Sequence, residues 1–294
     1  MFDLIIRGGA VYDGTGRPAR WADVAVSGGK IAAVEPLPAA RAARVIDARG
    51  KWVTPGFIDI HRHADAAAFR PGFGELELRQ GLTTIVNGNC GLSCAPVGPE
   101  NLPAITSYLE PICGRVPPEA AQETLAGYFA AQPAAPLHTG MLAGAGTIRA
   151  SVAGYQVQRL EPEHYAAIHR RLERALADGA LGVSLGLGYA PECFYTTDEL
   201  IRALAPLAGQ SIPITVHMRQ EGGGVVFGAG MDAQLRVRHE AVKRKEDLPR
   251  IRGAKPVQSD VTGIYQQVRR ELDRGRPVLF SGTPCQVDGL YHYL

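Results

Sequence analysis

The segment Pro55-Gly-Phe-Ile-Asp-Ile-His-Arg-His63 is an apolar run that ends in two histidines, and it restricts the fold more than any other part of the sequence. An apolar run after a Pro-Gly turn predicts a buried strand. Because side chains alternate between the two faces of a strand, His61 and His63 are expected on one face. Two imidazoles on one face can bind a divalent metal ion. For a His-x-His pair alone, one core and one surface histidine is the commoner arrangement, so both interpretations stay open at this point.

Beyond this segment, apolar strands and a helix of 3.6-residue periodicity follow each other. Strands are predicted over residues 83–86, 137–145, 181–185 and 212–217, and a helix over residues 162–178. This alternation is typical of parallel β/α units. Polar side chains follow the ends of the strands: Cys90, Ser184, Tyr189 and His217, as well as the two histidines. Since a β/α barrel has its chemistry at the C-terminal ends of its strands, we expect the functional site there.

The first 54 residues predict a small β-module that precedes these units. Short β-branched runs are separated there by glycine pairs, and turns are predicted at Gly8-Gly9 and Gly28-Gly29. Hydrophobic residues make up 46% of the 294-residue chain, which is enough for a sizeable core.

The composition argues against several classes of partner. Charged residues make up 20% of the chain and the net charge is +2, so no nucleic-acid partner is expected. No apolar run approaches the ~18 residues of a membrane span, and the N-terminus has no signal-peptide pattern. The five cysteines are odd in number and widely spread, which does not predict a disulfide framework. We therefore expect a cytoplasmic protein without a membrane partner.

Several segments resemble one enzyme family, in the order in which that family carries them. Gln80-Gly-Leu-Thr-Thr-Ile-Val-Asn-Gly-Asn-Cys-Gly-Leu-Ser-Cys-Ala-Pro96 closely resembles the second-strand motif of the N-acyl-D-amino-acid deacylases, the D-aminoacylase family of the amidohydrolase superfamily. Residues 55–63 resemble the first-strand signature of amidohydrolases. Residues 214–221 resemble the fifth strand of the deacylases, and residues 179–191 resemble the segment that lines their pocket.

This resemblance implies a set of site residues and a reaction. The implied metal ligands are His61, His63, Cys90 and His217, the implied metal is zinc, and Tyr189 is a candidate for substrate contact. The implied substrate is a small molecule, an N-acyl-D-amino acid, whose amide bond is hydrolysed. In such a reaction zinc lowers the pKa of a bound water and polarises the acyl carbonyl. A carboxylate from the eighth strand then transfers the proton.

The resemblance covers residues 1 to about 221, and the rest of the family pattern is absent. A sixth-strand histidine and the general-base aspartate are missing, because His239, Asp260 and Asp288 lie in no matching context. The predicted fold class is therefore α/β, with an N-terminal β-module over 1–54, an incomplete amidohydrolase-type (β/α) barrel over 55–221, and a small α/β tail over 222–294. Because five strands leave an eight-stranded barrel open, we expect this truncated chain to be inactive by itself.

The tail resembles a different family. Residues 223–232, 257–260 and 278–286 resemble a fragment of the coenzyme F420 hydrogenase/dehydrogenase beta subunit, whose members bind a flavin and iron–sulfur clusters. Cys285 is the residue that such a cluster would use, but without partner cysteines nearby a free thiol is the expected state. Two alternatives to the hydrolase therefore stay open. One is a fragment of a redox subunit, and the other is a composite of two gene fragments without activity.

Overall fold

The computed structural model describes residues 1–219, 225–231, 237–251, 259–276, 278–282 and 284–294. The chain divides into two compact units, Met1–Phe57 and Ile58–Leu294. The strands are β1 (Phe2–Val11), β2 (Arg20–Ser27), β3 (Lys30–Glu35), β4 (Ala42–Asp47), β5 (Trp52–Val53), β6 (Phe57–Asp59), β7 (Leu82–Asn87), β8 (His138–Met141), β9 (Ala143–Gly144), β10 (Val183–Gly186), β11 (Ile214–His217), β12 (Val225–Met231), β13 (Val237–Val242) and β14 (Val278–Phe280). The helices are α1 (Glu75–Arg79), α2 (Leu102–Cys113), α3 (Leu125–Ala131), α4 (Ala145–Ala153), α5 (Pro162–Ala177), α6 (Thr197–Ala203), α7 (Ile264–Asp273) and α8 (Pro284–Tyr293).

The first unit is a single five-stranded sheet. Strands β3, β2, β1 and β4 are neighbours in that order, and β5 also pairs with β1. The hairpin predicted at Gly28-Gly29 joins the antiparallel strands β2 and β3. The turn predicted at Gly8-Gly9 is wrong, because β1 continues through it with a shift of register between Ile6 and Gly9. Gly8 has a φ of +71°, and its N–H donates to Asp23 at 2.7 Å, so the glycine pair forms a bulge rather than a turn.

The second unit contains the predicted parallel β/α units. Strands β6, β7 and β8 form one sheet, β9, β10 and β11 a second, and β12 to β14 a third. The β7–β8, β9–β10 and β10–β11 pairs are parallel, as the alternating pattern indicates. Helix α5 lies where the periodicity predicts it, with Tyr165, Ile168, Leu172 and Ala175 buried. Together with Val183 and Leu185 of β10, its apolar face forms one core cluster.

Two predicted strands end earlier than expected. The first strand ends at Asp59, so His61 and His63 lie in the segment that follows it rather than on the strand itself. The third strand, predicted to reach residue 145, is interrupted at Leu142 and gives way to helix α4 after Gly144. The N–H of Thr147 in the first turn of α4 donates to Gly91 O at 2.9 Å. A contact so distant in sequence stabilises the helix start in a way that local patterns do not reveal.

The tail has one clear departure from prediction. The basic residues of 236–245 predict a solvated helix or loop face, but residues Val237–Val242 form strand β13, antiparallel to β12. Val237 and His239 are buried and Arg238 is exposed, which is the period-two pattern of a strand. Helix α8 begins at Pro284. The side chains of Cys285 and Asp288 lie outside the described residues. The free thiol expected at Cys285 therefore stays a prediction.

Among the described helices, none combines the length and the apolar composition that crossing a bilayer requires.

Candidate metal centre

Three side chains from two strand ends come together. His61 and His63 follow β6, and Cys90 follows β7. Their ligand atoms all lie within 4.8 Å of one another. The Sγ atom of Cys90 is 3.3 Å from Nε2 of His61, and the two imidazole centroids are 5.5 Å apart. The expectation that the two histidines point to the same side is therefore met, although they lie just beyond the strand.

His217 lies beside this cluster, outside the three-residue set. It is the last residue of β11 and is paired with Gly186 at the end of β10. Its ring packs against Tyr189, with the centroids 5.0 Å apart. His217 is also close enough to both histidines of the cluster to lower their pKa values. The fourth predicted ligand therefore lies near the other three, at the end of β11.

The protonation states suit metal ligation. Burial is the main cause that lowers the pKa of His61 and of His63, so both imidazoles are neutral near pH 7 and keep a lone pair for a metal. Burial raises the pKa of the Cys90 thiol. A bound metal ion deprotonates a coordinating thiol, which reverses this effect.

The loop that carries Cys90 has an unusual backbone. Among the described residues, Cys90 is the only non-glycine with a positive φ, at +57°. Such a conformation costs of the order of 1–3 kcal/mol and persists where surrounding contacts enforce it. Those contacts come from β10 and the loop after it. Gly91 N donates to Ser184 Oγ at 2.9 Å, the Ser184 hydroxyl donates to Gly88 O at 2.5 Å, and the Tyr189 hydroxyl donates to Cys90 O.

Two buried polar side chains connect the Cys90 loop to the histidine segment. Asn89 Nδ2 donates to Val86 O at 3.0 Å and to Ile60 O at 3.3 Å. The fully buried carboxyl of Asp65 accepts from the N–H of Gly88 at 3.5 Å. Burial raises the pKa of Asp65 to about 6. These bonds fix the ends of β6 and β7 relative to each other.

A second buried carboxyl, that of Glu192, lies behind the Cys90 loop. Glu192 is 1% exposed, and its Oε2 accepts from Gly186 N at 2.6 Å. Burial is the main cause that raises its pKa to about 8, while backbone N–H groups and the nearby Arg149 lower it. Arg149 is itself fully buried, with its guanidinium 4.0 Å from the centroid of the Tyr195 ring. A carboxyl group and a guanidinium group are therefore both buried behind the Cys90 loop.

The donor set fits a zinc ion. Two imidazoles and one thiolate are the nitrogen and sulfur ligands that zinc prefers. The buried Nδ1 of His63 has no hydrogen-bond partner among the described residues. A buried polar atom of that kind is costly unless a ligand satisfies it.

The sequence therefore predicted the principal side chains of the site, but not all of the buried residues that support them. The structure brings His61, His63 and Cys90 together and puts His217 and Tyr189 next to them. Asp65, Arg149 and Glu192 were missed. Their signal in the sequence is weak, since it consists only of charged residues inside apolar runs.

The chain is similar in sequence to known enzymes. Residues 44–212 match the profile of the amidohydrolase family. D-aminoacylase of Alcaligenes xylosoxydans xylosoxydans is 34% identical over 269 residues, which cover 87% of this chain and 54% of that enzyme. N-acyl-D-glutamate deacylase of the same organism is 38% identical over 226 residues, covering 76% of this chain and 45% of that enzyme. The chain thus spans about half the length of the curated relatives it matches.

Solved structures agree with these relatives. N-acyl-D-glutamate deacylase from Bordetella bronchiseptica, complexed with zinc and a phosphonate mimic of the tetrahedral intermediate, superposes with a TM-score of 0.70 at 28% identity. That superposition covers 96% of this chain and 58% of the other. A crystal structure of D-aminoacylase gives a TM-score of 0.66 at 37% identity, covering 76% and 46%. At 96% coverage the first superposition extends well into residues 222–294. The redox resemblance of that segment gains no support, and the boundaries after residues 54 and 221 remain predictions.

Proposed function

The chain belongs to the amidohydrolase family, and on that premise we propose that it provides the zinc-binding part of an enzyme that hydrolyses the amide bond of N-acyl-D-amino acids. The named relatives that support this substrate class act on N-acyl-D-aspartate and N-acyl-D-glutamate, or are called D-aminoacylase. The proposed architecture is an incomplete β/α barrel, in which β6 to β11 supply the first five strands, with β8 and β9 together forming the interrupted third strand.

The observation that carries the proposal is the convergence of His61, His63 and Cys90 at the ends of β6 and β7. Ligand atoms within 4.8 Å of one another can share a single ion. His217, at the end of β11, is the proposed further ligand. When bound, zinc supplies a Lewis acid that activates water and polarises the acyl carbonyl.

The residues of this chain have separate tasks in that proposal. The neutral imidazoles of His61 and His63 and the Cys90 thiolate hold the ion. Tyr189 is the proposed substrate contact, and the packing of its ring against His217 supports this assignment. No carboxylate joins the ligand cluster within the part of the chain that the structure describes. We expect the clustered ligands to bind zinc strongly. Because a general base is needed to move the proton, we expect turnover by this chain to be very low.

The test is to measure zinc and substrate recognition separately on the purified chain. We expect about one tightly bound zinc per chain. We also expect N-acetyl-D-amino acids, and not their L enantiomers, to raise the thermal midpoint of the zinc-loaded protein. Release of free amine, with acidic and neutral side chains compared, reports any turnover. Absence of zinc binding would refute the metal centre. Zinc binding without any preference for the D enantiomer would refute the substrate class.

A further inference from the structure

We propose that Glu192 is a positioning residue, which holds Cys90 and His217 in the relative placement that zinc binding requires. This inference rests on the proposed metal centre. Glu192 lies in a short 3-10 turn after β10, and it belongs to none of the motifs that the family resemblance identifies.

The first step is the contact with β10. Glu192 Oε2 accepts from Gly186 N at 2.6 Å. Gly186 is the residue paired with His217, and the N–H of Leu187, the next residue, donates to His217 O at 2.9 Å. The carboxyl therefore fixes the strand end directly opposite the His217 backbone.

The second step is the contact with the Cys90 loop. A Cβ at Gly91 would overlap Glu192 Oε2 and would lie 2.6 Å from Gly186 N. Only a glycine leaves room for this approach, so the carboxyl packs directly against the backbone that follows Cys90. One side chain thus touches the segments that carry two proposed ligands.

The third step is the contact with helix α4. A Cβ at Gly146, in its first turn, would lie 2.8 Å from Glu192 Oε2, and the backbone N–H of Gly146 donates to this carboxyl. The next N–H, that of Thr147, donates to Gly91 O at 2.9 Å. The start of α4, the Cys90 loop and the end of β10 therefore meet at a single buried carboxyl, and none of these contacts involves a metal ligand's own side chain.

Length and charge of residue 192 can be separated by substitution. Glu192→Gln keeps the length and an oxygen that accepts from Gly186 N. Glu192→Asp keeps the carboxyl but is about 1.5 Å shorter, so it cannot reach the same backbone groups. Glu192→Ala removes both properties. A positioning role requires metal affinity to follow length, whereas a direct electrostatic role requires it to follow charge.

The experiment is a zinc competition titration of each full-length variant, together with cobalt titration to follow thiolate-to-cobalt absorption. Circular dichroism of the metal-free proteins checks that each variant is folded. Residues that support metal ligands typically contribute 10–100-fold to affinity, so we expect about that loss for the Asp and Ala variants. The Gln variant should stay close to wild type.

Glu271→Ala is the matched control. Glu271 is also buried, and its described ion-pair partners are Lys243, Arg274 and Arg276 in the tail. Its loss should leave zinc affinity unchanged. The inference is overturned if Asp binds zinc as wild type and Gln does not, if all variants bind alike, or if the control loses zinc as well.

Two further outcomes are also decisive. If Glu192→Ala does not fold, the comparison of Asp with Gln still separates length from charge. If the wild-type protein itself binds no zinc or cobalt, both the proposed metal centre and the role of Glu192 are refuted. That result differs from normal wild-type binding with unaffected variants, which removes the role of Glu192 alone.

Discussion

Replacing Gly91 by alanine tests whether the Cys90 loop is as tightly enclosed as the structure indicates. Gly91 has a φ of +73°, and an added Cβ would overlap Glu192 Oε2 and lie 2.6 Å from Gly186 N. The left-handed backbone alone costs an alanine about 1–2 kcal/mol. Forcing a methyl group into a filled space adds about 1–3 kcal/mol. We therefore expect Gly91→Ala to lower the free energy of unfolding by about 2–5 kcal/mol.

Gly209→Ala separates the two contributions. Gly209 has nearly the same φ, +75°, but an added Cβ there meets nothing within 4 Å. It should show the backbone cost of about 1–2 kcal/mol alone.

Urea unfolding of both variants and wild type, followed by circular dichroism without metal, gives the comparison. Equal losses of unfolding free energy at Gly91 and Gly209 would show that the Cys90 loop is not packed against Glu192. The enclosed site described above would then be refuted.

Three further predictions concern the ligands, the buried carboxyl and a helix end. Cys90→Ser should weaken zinc binding at least about 100-fold in competition titrations, because losing a ligand should cost at least as much as losing a residue that supports one. Unchanged affinity would exclude Cys90 as a ligand. The pKa of Glu192 is about 8 in the folded state against its usual 4.5, so the folded state retains a proton that the unfolded state has lost. From about pH 5 to 8, wild-type stability should therefore fall by about 1.4 kcal/mol per pH unit relative to Glu192→Gln; parallel pH profiles would contradict this. Thr196 caps α6 by accepting from Glu199 N, so Thr196→Ala should cost about 1 kcal/mol in urea unfolding while Thr196→Ser costs little; a neutral alanine variant would show that the cap is not needed.

The sequence sufficed where a pattern has a direct physical cause. The period of α5 buries Tyr165, Ile168 and Leu172 as predicted, because 3.6 residues per turn leave one apolar side. Motif resemblance likewise predicted that the two histidines and Cys90 lie together, although the histidines follow β6 and strand alternation does not set their positions. These features depend on residues that are near each other along the chain or on recognisable motifs.

Other features depend on contacts that no local pattern records. Helix α4 starts where its first N–H groups meet Gly91 O and Glu192, more than forty residues away on either side. The bulge at Gly8 depends on Asp23. Strand β13 contains basic residues, which favour a solvent-exposed segment. In the structure, however, its first residues alternate between buried and exposed. In each case tertiary contacts outweighed the local preference.

The separations along the chain also set an order of assembly. The contact between His61 and Cys90 closes a loop of 29 residues, whereas the bonds from Ser184 and Tyr189 to the Cys90 loop close loops of 93 to 99 residues. Longer loops cost more entropy to close and form later during folding. A nascent chain can therefore present a histidine–cysteine pair to zinc before β10 has docked. We expect an ion captured at that stage to exchange more readily than one that is bound after β10 has docked. Pulse-labelled hydrogen exchange should accordingly show Gly91 N, bonded to Ser184, protected later than Arg62 N, bonded to Val86 O.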